Sequence, residues 1–202
     1  MKFLIVGGFL GSGKTSFIIH LAKHLVESRG IRNVAILENE IGQVGIDDQL
    51  LRSTGYEVKG LFSGCVCCTM AGELLVNVRM LQRDLNPDWI IMEATGVAMP
   101  NTIKESLKEK LDIDAQVVCL ADAKRWGKLL KAMSQVITMQ LQGADVVLVN
   151  KIDLVDGESL ATAKASIRAI NETARIETCS AIEAVDTALL DRILDWRQPS
   201  GK

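Results

Sequence analysis

Short apolar runs alternate with amphipathic stretches along the whole chain. Phe3-Leu4-Ile5-Val6, Asn33 to Leu37, Glu57 to Leu61, Trp89-Ile90-Ile91-Met92, Ala115 to Leu120, Val146-Val147-Leu148-Val149 and Arg175 to Thr178 read as strands. The strongest of these are continuously apolar, the pattern of parallel strands covered on both faces. Between them apolar residues recur at helical spacing. Phe17, Ile18, Leu21, Ala22 and Leu25 make one face of a helix from Lys14 to Ser28, ended by Arg29-Gly30. Further helices are predicted from Ala71 to Leu85, stopped by Asn86-Pro87, and from Thr102 to Lys110. A long one runs from Trp126 to Gln142 on Leu129, Leu130, Met133, Ile137, Met139 and Leu141, and two more cover Ser159 to Asn171 and Ile182 to Trp196. This alternation predicts one α/β domain over residues 1–197, a mostly parallel sheet with helices on both faces, followed by a short polar tail at 198–202.

Composition narrows the class. With 202 residues, 48% hydrophobic and 24% charged, and only three prolines, the chain suits a single domain with a full core. A net charge of −2 offers no electrostatic footprint for nucleic acid or an anionic membrane. The apolar N-terminus reads as the first strand, since glycines and Lys14 interrupt it, and no run approaches the roughly 20 residues that span a bilayer. Five cysteines, three of them crowded at Cys65, Cys67 and Cys68, point to a reducing cytoplasm with metal or thiol chemistry.

The first strand delivers Gly8-Phe9-Leu10-Gly11-Ser12-Gly13-Lys14-Thr15-Ser16, which fits the phosphate-binding loop GxxxxGK(S/T). Gly8, Gly11 and Gly13 let the backbone wrap closely, so that loop N–H groups, Ser12 included, form an anion cradle at the N-terminus of the following helix. Lys14 would meet the β- and γ-phosphates, and Thr15, next to Ser16, would ligate Mg²⁺ through its hydroxyl. Trp89 to Met92 ends in Glu93-Ala94-Thr95-Gly96, where Glu93 can reach the Mg²⁺ shell or polarise a nucleophilic water and Gly96 lets backbone approach the γ-phosphate.

Behind another buried strand stands Asn150-Lys151-Ile152-Asp153, the NKxD pattern of guanine readers. The Asp153 carboxylate can accept from N1–H and N2–H₂ of guanine, a pair adenine lacks. Lys151 can lay its stem across the base, Asn150 can tie neighbouring loops, and Ser180-Ala181 fits the turn whose amide meets guanine O6.

Two segments carry the remaining chemistry. Glu38 to Asp48 holds four carboxylates and two glycines just past a strand's carboxyl end, where phosphate-linked switches sit. Cys65-Val66-Cys67-Cys68 follows a glycine and can aim soft thiolates at a Zn²⁺, Cu⁺ or related ion, with Glu40, another carboxylate, a second subunit or an open position completing the set. Cys119 and Cys179 are isolated and read as small core residues, as do the scattered methionines. His20 and His24 could make an i, i+4 metal pair, but no local carboxylate or cysteine completes it, and they read as partly exposed polar positions.

Taken together, GGFLGSGKT, ENEIGQVGID, SGCVCCT, MEATG and NKID resemble the CobW family of GTPases, relatives of the HypB and UreG metal-insertion proteins. The resemblance implies a P-loop domain of the signal-recognition and MinD-like (SIMIBI) class. It implies slow GTP hydrolysis to GDP, with Mg²⁺, coupled to delivering zinc, cobalt or nickel, or a metal cofactor, to a client protein. It places phosphate and Mg²⁺ on Gly11, Gly13, Lys14 and Thr15, γ-phosphate sensing on Glu93 and Gly96, guanine on Asn150, Lys151 and Asp153, and the metal on Cys65, Cys67 and Cys68 with Glu40. Family loops commonly read NEFGEVGID. Gln43 stands in place of the second acid here, and the chain stops where family members continue into a C-terminal domain, leaving a client or a second copy in a homodimer to supply that part. Two rival readings stay open: an activator of a metalloenzyme or corrinoid protein with structural cysteines, and a metal- or redox-sensing module.

Overall fold

In the computed structural model, residues 1–38, 61–62, 71–182 and 184–196 are described. Seven strands form one parallel sheet in the order β3-β2-β4-β1-β5-β6-β7: β1 Lys2–Gly8, β2 Val34–Glu38, β3 Leu61–Phe62, β4 Trp89–Glu93, β5 Ala115–Asp122, β6 Val146–Asn150 and β7 Arg175–Thr178. The central strand, β1, pairs Phe3 with Ile90 on one side and with Ala115 on the other. Its apolar run is explained by this position, because each face of the strand is covered.

Alternation sorts the side chains into two cores. Phe3 and Ile5 face one side with Leu74, Val78 and Leu81, whereas Leu4 and Val6 face the other with Phe17, Ile18 and Leu21. The first layer holds α2 (Ala71–Leu85), α3 (Pro100–Leu111), α4 (Trp126–Ala132), α5 (Ser134–Gln142) and α6 (Gly157–Ile170). The second holds α1 (Lys14–Lys23), extended by a π turn at His24–Ser28, and α7 (Thr187–Leu194). Two helical layers around a parallel sheet put all strand carboxyl ends on one edge, where ligands bind in such folds.

Three expectations need correction. The long helix from Trp126 to Gln142 is two helices, broken at Met133, whose φ of −138° and ψ of 38° leave the helical region. No proline or glycine marks that break, and Met139 is exposed rather than packed into the core. The last helix starts at Thr187, capped by the Asp186 carboxylate accepting from the Ala188 amide, so Ile182 belongs to the preceding loop. His24 is buried, not partly exposed. Its Nε2 lies 2.7 Å from Asp191 Oδ1, which also accepts from Arg29, and this cluster fastens the π turn to α7.

Candidate functional site

The carboxyl ends of β1, β4 and β6 open on one cavity of about 470 Å³. Gly11, Gly13, Lys14, Thr15, Ser16, Glu93, Asn150, Lys151, Asp153 and Ala181 line it, joined by the apolar Leu10, Leu154 and Ile182. Residues separated by more than a hundred positions in sequence are thus brought to one site, because β1 and β6 flank β5 in the sheet. Gly8, Ser12, Gly96 and Ser180 sit just outside the lining. Gly8 ends β1, Ser12 is buried in the loop, Gly96 packs on Leu10, and Ser180 donates from its hydroxyl to Asp153 Oδ1 at 2.6 Å.

The loop's shape follows from where its carbonyls go. Leu10 O accepts from Arg125 Nη2 at 2.7 Å, Gly11 O from Lys151 Nζ at 2.6 Å, and Ser12 O from Asn150 Nδ2 at 2.8 Å. Successive carbonyls are drawn toward the ends of β5 and β6, which turns the intervening amides the other way. Gly13 has a φ of +97°, and a Cβ there would collide with Asn150 Nδ2, so both conformation and space require glycine. No side chain caps α1 and no acidic residue lies in its first turn. Its first amides therefore have no partner within the helix, and with the helix dipole they favour an anion.

The phosphate end carries charge and oxygen ligands. Lys14 is buried, with Nζ 3.8 Å from Glu93 Oε1. Thr15 Oγ1 donates to Glu93, 3.0 Å from Oε2 and 3.2 Å from Oε1. A hydroxyl and a carboxylate converging beside an anion cradle match the hard oxygen donors Mg²⁺ takes, so Thr15 directly and Glu93 through water could hold it. The buried hydroxyls Ser12 Oγ and Thr95 Oγ1 have no hydrogen-bond partner among the described residues.

The base end is cross-bonded through Asn150 and Lys151. Asn150 Oδ1 accepts from the amides of Lys151 and Ala181, each at 2.8 Å, and from Cys179 Sγ at 3.5 Å. This one buried amide joins the phosphate loop, its own loop and the 180–181 turn. The Ala181 amide thus donates to Asn150 in this structure, and His20 Nε2 meets the Ala181 carbonyl at 3.1 Å. Lys151, at φ +64°, spans from Gly11 O to Asp122 Oδ2 at 2.8 Å.

The chain belongs to the CobW/HypB/UreG family. Its nucleotide-binding domain description matches residues 2–178. A zinc-regulated GTPase metalloprotein activator 1 from Schizosaccharomyces pombe is 32% identical over 185 residues, covering 85% of this chain and 44% of that protein. The zinc chaperone YeiR of Escherichia coli is 34% identical over 160 residues, covering 77% of this chain and 48% of that one. The chain therefore spans about half the length of these curated relatives. Among solved structures, the hydrogenase maturation factor HypB from Archaeoglobus fulgidus superposes with a TM-score of 0.69 at 17% identity, over 96% of this chain and 89% of that one. That likeness is one of fold.

This CobW-family domain also holds site residues that motif reading passes over. Asp122 is a buried carboxylate accepting from Lys151 Nζ, from Arg125 Nε at 2.7 Å and from the Arg125 amide. Burial opposes its ionisation, but the bonds from Lys151 and Arg125 hold it below the ordinary carboxylate range. The available signal was its place, the residue ending a buried strand next to β1. Glu40, Cys65, Cys67 and Cys68, most of the acidic segment from Glu38 to Asp48, and the tail at 198–202 lie outside the described residues. Among the described residues no group of three metal-ligating side chains forms, and no helix is long and apolar enough to cross a membrane. Cys119 and Cys179 are buried, and burial first of all pushes each thiol up to about 12, in keeping with small core residues.

Proposed function

We propose that the domain binds and slowly hydrolyses GTP with Mg²⁺, and uses the nucleotide state to load and release a transition-metal ion for a client metalloprotein. The observation that carries this reading is the single cavity in which Lys14, Thr15 and Glu93 face Asn150, Lys151 and Asp153. Lys14 and the α1 amides would hold the β- and γ-phosphates, and Gly96 would approach the γ-phosphate through its backbone. Asp153, oriented by Ser180, would accept from guanine N1–H and N2–H₂. Mg²⁺, held by Thr15 directly and by Glu93 through water, would neutralise phosphate charge. Glu93 would orient the attacking water, and its carboxylate would exchange the Thr15 hydroxyl for that role.

The metal is the cargo. Cys65, Cys67 and Cys68, with Glu40, form the ligand set in this reading, with zinc favoured by thiolate softness and by the zinc-named relatives, and cobalt or nickel as alternatives. A client metalloprotein and a second copy of the chain are the proposed partners, and the cytoplasm the proposed compartment. The test is competition binding of GTP, GDP and ATP, followed by phosphate release with and without Zn²⁺. GTP preferred over ATP by at least about a hundredfold, with turnover that responds to zinc, is expected from the Asp153 mismatch. Equal affinity for ATP and GTP would remove guanine reading from the account.

A further inference from the structure

One buried polar side chain faces the proposed phosphate sensor from behind. Gln140 lies on the inward face of α5 between Ile137 and Leu141 and is 3% exposed, a position where periodicity calls for an apolar residue. Its Nε2 donates to Gly96 O at 2.9 Å and to Ala98 O at 3.2 Å. Both donors of one amide are therefore spent on the loop that follows β4. The other side of that loop meets the phosphate loop: a Cβ on Gly96 would stand 2.9 Å from the Leu10 amide nitrogen. The base of the loop is fastened by the Ala94 amide to Val6 O at 2.9 Å, and its turn is closed by the Ala98 amide to Thr95 O at 3.0 Å. Between these fixed points sits Thr95 Oγ1, buried and without a partner among the described residues.

We propose that Gln140 is a positioning residue for nucleotide-state discrimination: it presses the Gly96 segment against the phosphate loop, so that the domain tells a nucleoside triphosphate from a diphosphate. Two carbonyls turned toward α5 leave the loop's opposite edge against Leu10 of the phosphate loop, which lines the cavity. An apolar residue in place of Gln140 would strand the buried Gly96 carbonyl and the part-buried Ala98 carbonyl, and the loop would move to find other partners. The diphosphate does not extend to this loop and would not register the change. This rests on the reading that guanine nucleotides occupy the cavity.

The experiment compares wild type with Gln140→Met, which keeps volume and helix propensity, in GDP and non-hydrolysable GTP analogue titrations and in single-turnover hydrolysis. We expect GDP affinity within about twofold of wild type and analogue affinity lowered roughly tenfold, the effect of losing about one buried hydrogen bond at one site, with hydrolysis slowed. A parallel fall for both nucleotides would mark a structural role and overturn the proposal, as would no change for either. Should Gln140→Met not fold, exchange of the Gln140 side-chain amide protons in wild type decides: slower exchange with the analogue than with GDP is expected, and equal exchange overturns the proposal. Wild type that binds no guanine nucleotide would instead refute the reading of the cavity, an outcome distinct from either.

Discussion

The two ends of the cavity are built differently. At the base end, Asn150, Lys151, Asp153 and Ser180 are committed to one another and to the phosphate loop through protein hydrogen bonds, several with buried partners. At the phosphate end, Glu93 accepts from the Thr15 hydroxyl and stands 3.8 Å from Lys14 Nζ, Thr95 keeps a buried hydroxyl unpaired among the described residues, and the Gly96 carbonyl accepts from Gln140. A preorganised end gives selectivity at low entropic cost, while an end held by few bonds can take two arrangements. On the proposed reading, the contrast makes base choice and state sensing separable.

Substitutions should separate them. The largest expected effect is at the phosphate end. Glu93→Gln keeps shape but removes the charge that orients water, so single-turnover hydrolysis should fall by roughly 10²–10⁴-fold while GDP affinity holds. Wild-type rates would show that Glu93 serves only as a partner of Thr15. At the base end, Asp153→Asn turns an acceptor into a donor. GTP affinity should drop by about a hundredfold and xanthine nucleotides should gain, since a hydrogen bond to a charged group is worth about 1.5–3 kcal/mol; competition binding reads both. If GTP stays preferred, the base does not sit on Asp153.

Asn150→Ala should act on the scaffold. Removing one amide strands Ser12 O and the Lys151 and Ala181 amides, a loss of about 2–4 kcal/mol in urea unfolding, and it should weaken GDP and GTP alike. A selective effect on GTP would contradict the division between the ends. The smallest effect is with pH. Because the folded Asp122 carboxyl lies below its unfolded value, its contribution is fully present above about pH 4 and is lost only as pH falls through the depressed folded value. Thermal melts should therefore show no Asp122-dependent change between neutral pH and about pH 5, and Asp122→Asn should flatten the acid limb below that.

Much of this was legible in the chain. Phe3 to Val6, Trp89 to Met92 and Val146 to Val149 announce buried parallel strands, and the residues at their carboxyl ends are the ones that line the cavity. Local patterns read well because each motif carries its own strand and turn. What escaped was non-local. Asp122 and Arg125 matter through β5 lying beside β1 and β6, and His24 is buried by Asp191 on α7, some 167 residues away. The break at Met133 carries no proline or glycine, so periodicity ran straight through it. Gln140 did leave a trace, as an amide three residues after Ile137 on a core-facing stripe.

The claim that joins the two halves of the account is that nucleotide state governs metal affinity. Zinc titration of anaerobically purified protein, wild type against the Cys65→Ala/Cys67→Ala/Cys68→Ala variant, each with GDP and with a non-hydrolysable GTP analogue, measures it directly. The account predicts cysteine-dependent zinc binding whose affinity differs between the two nucleotides by roughly five- to 150-fold, the usual span of a coupling between sites. Identical zinc affinity in both states, or zinc binding unchanged in the triple variant, would contradict it.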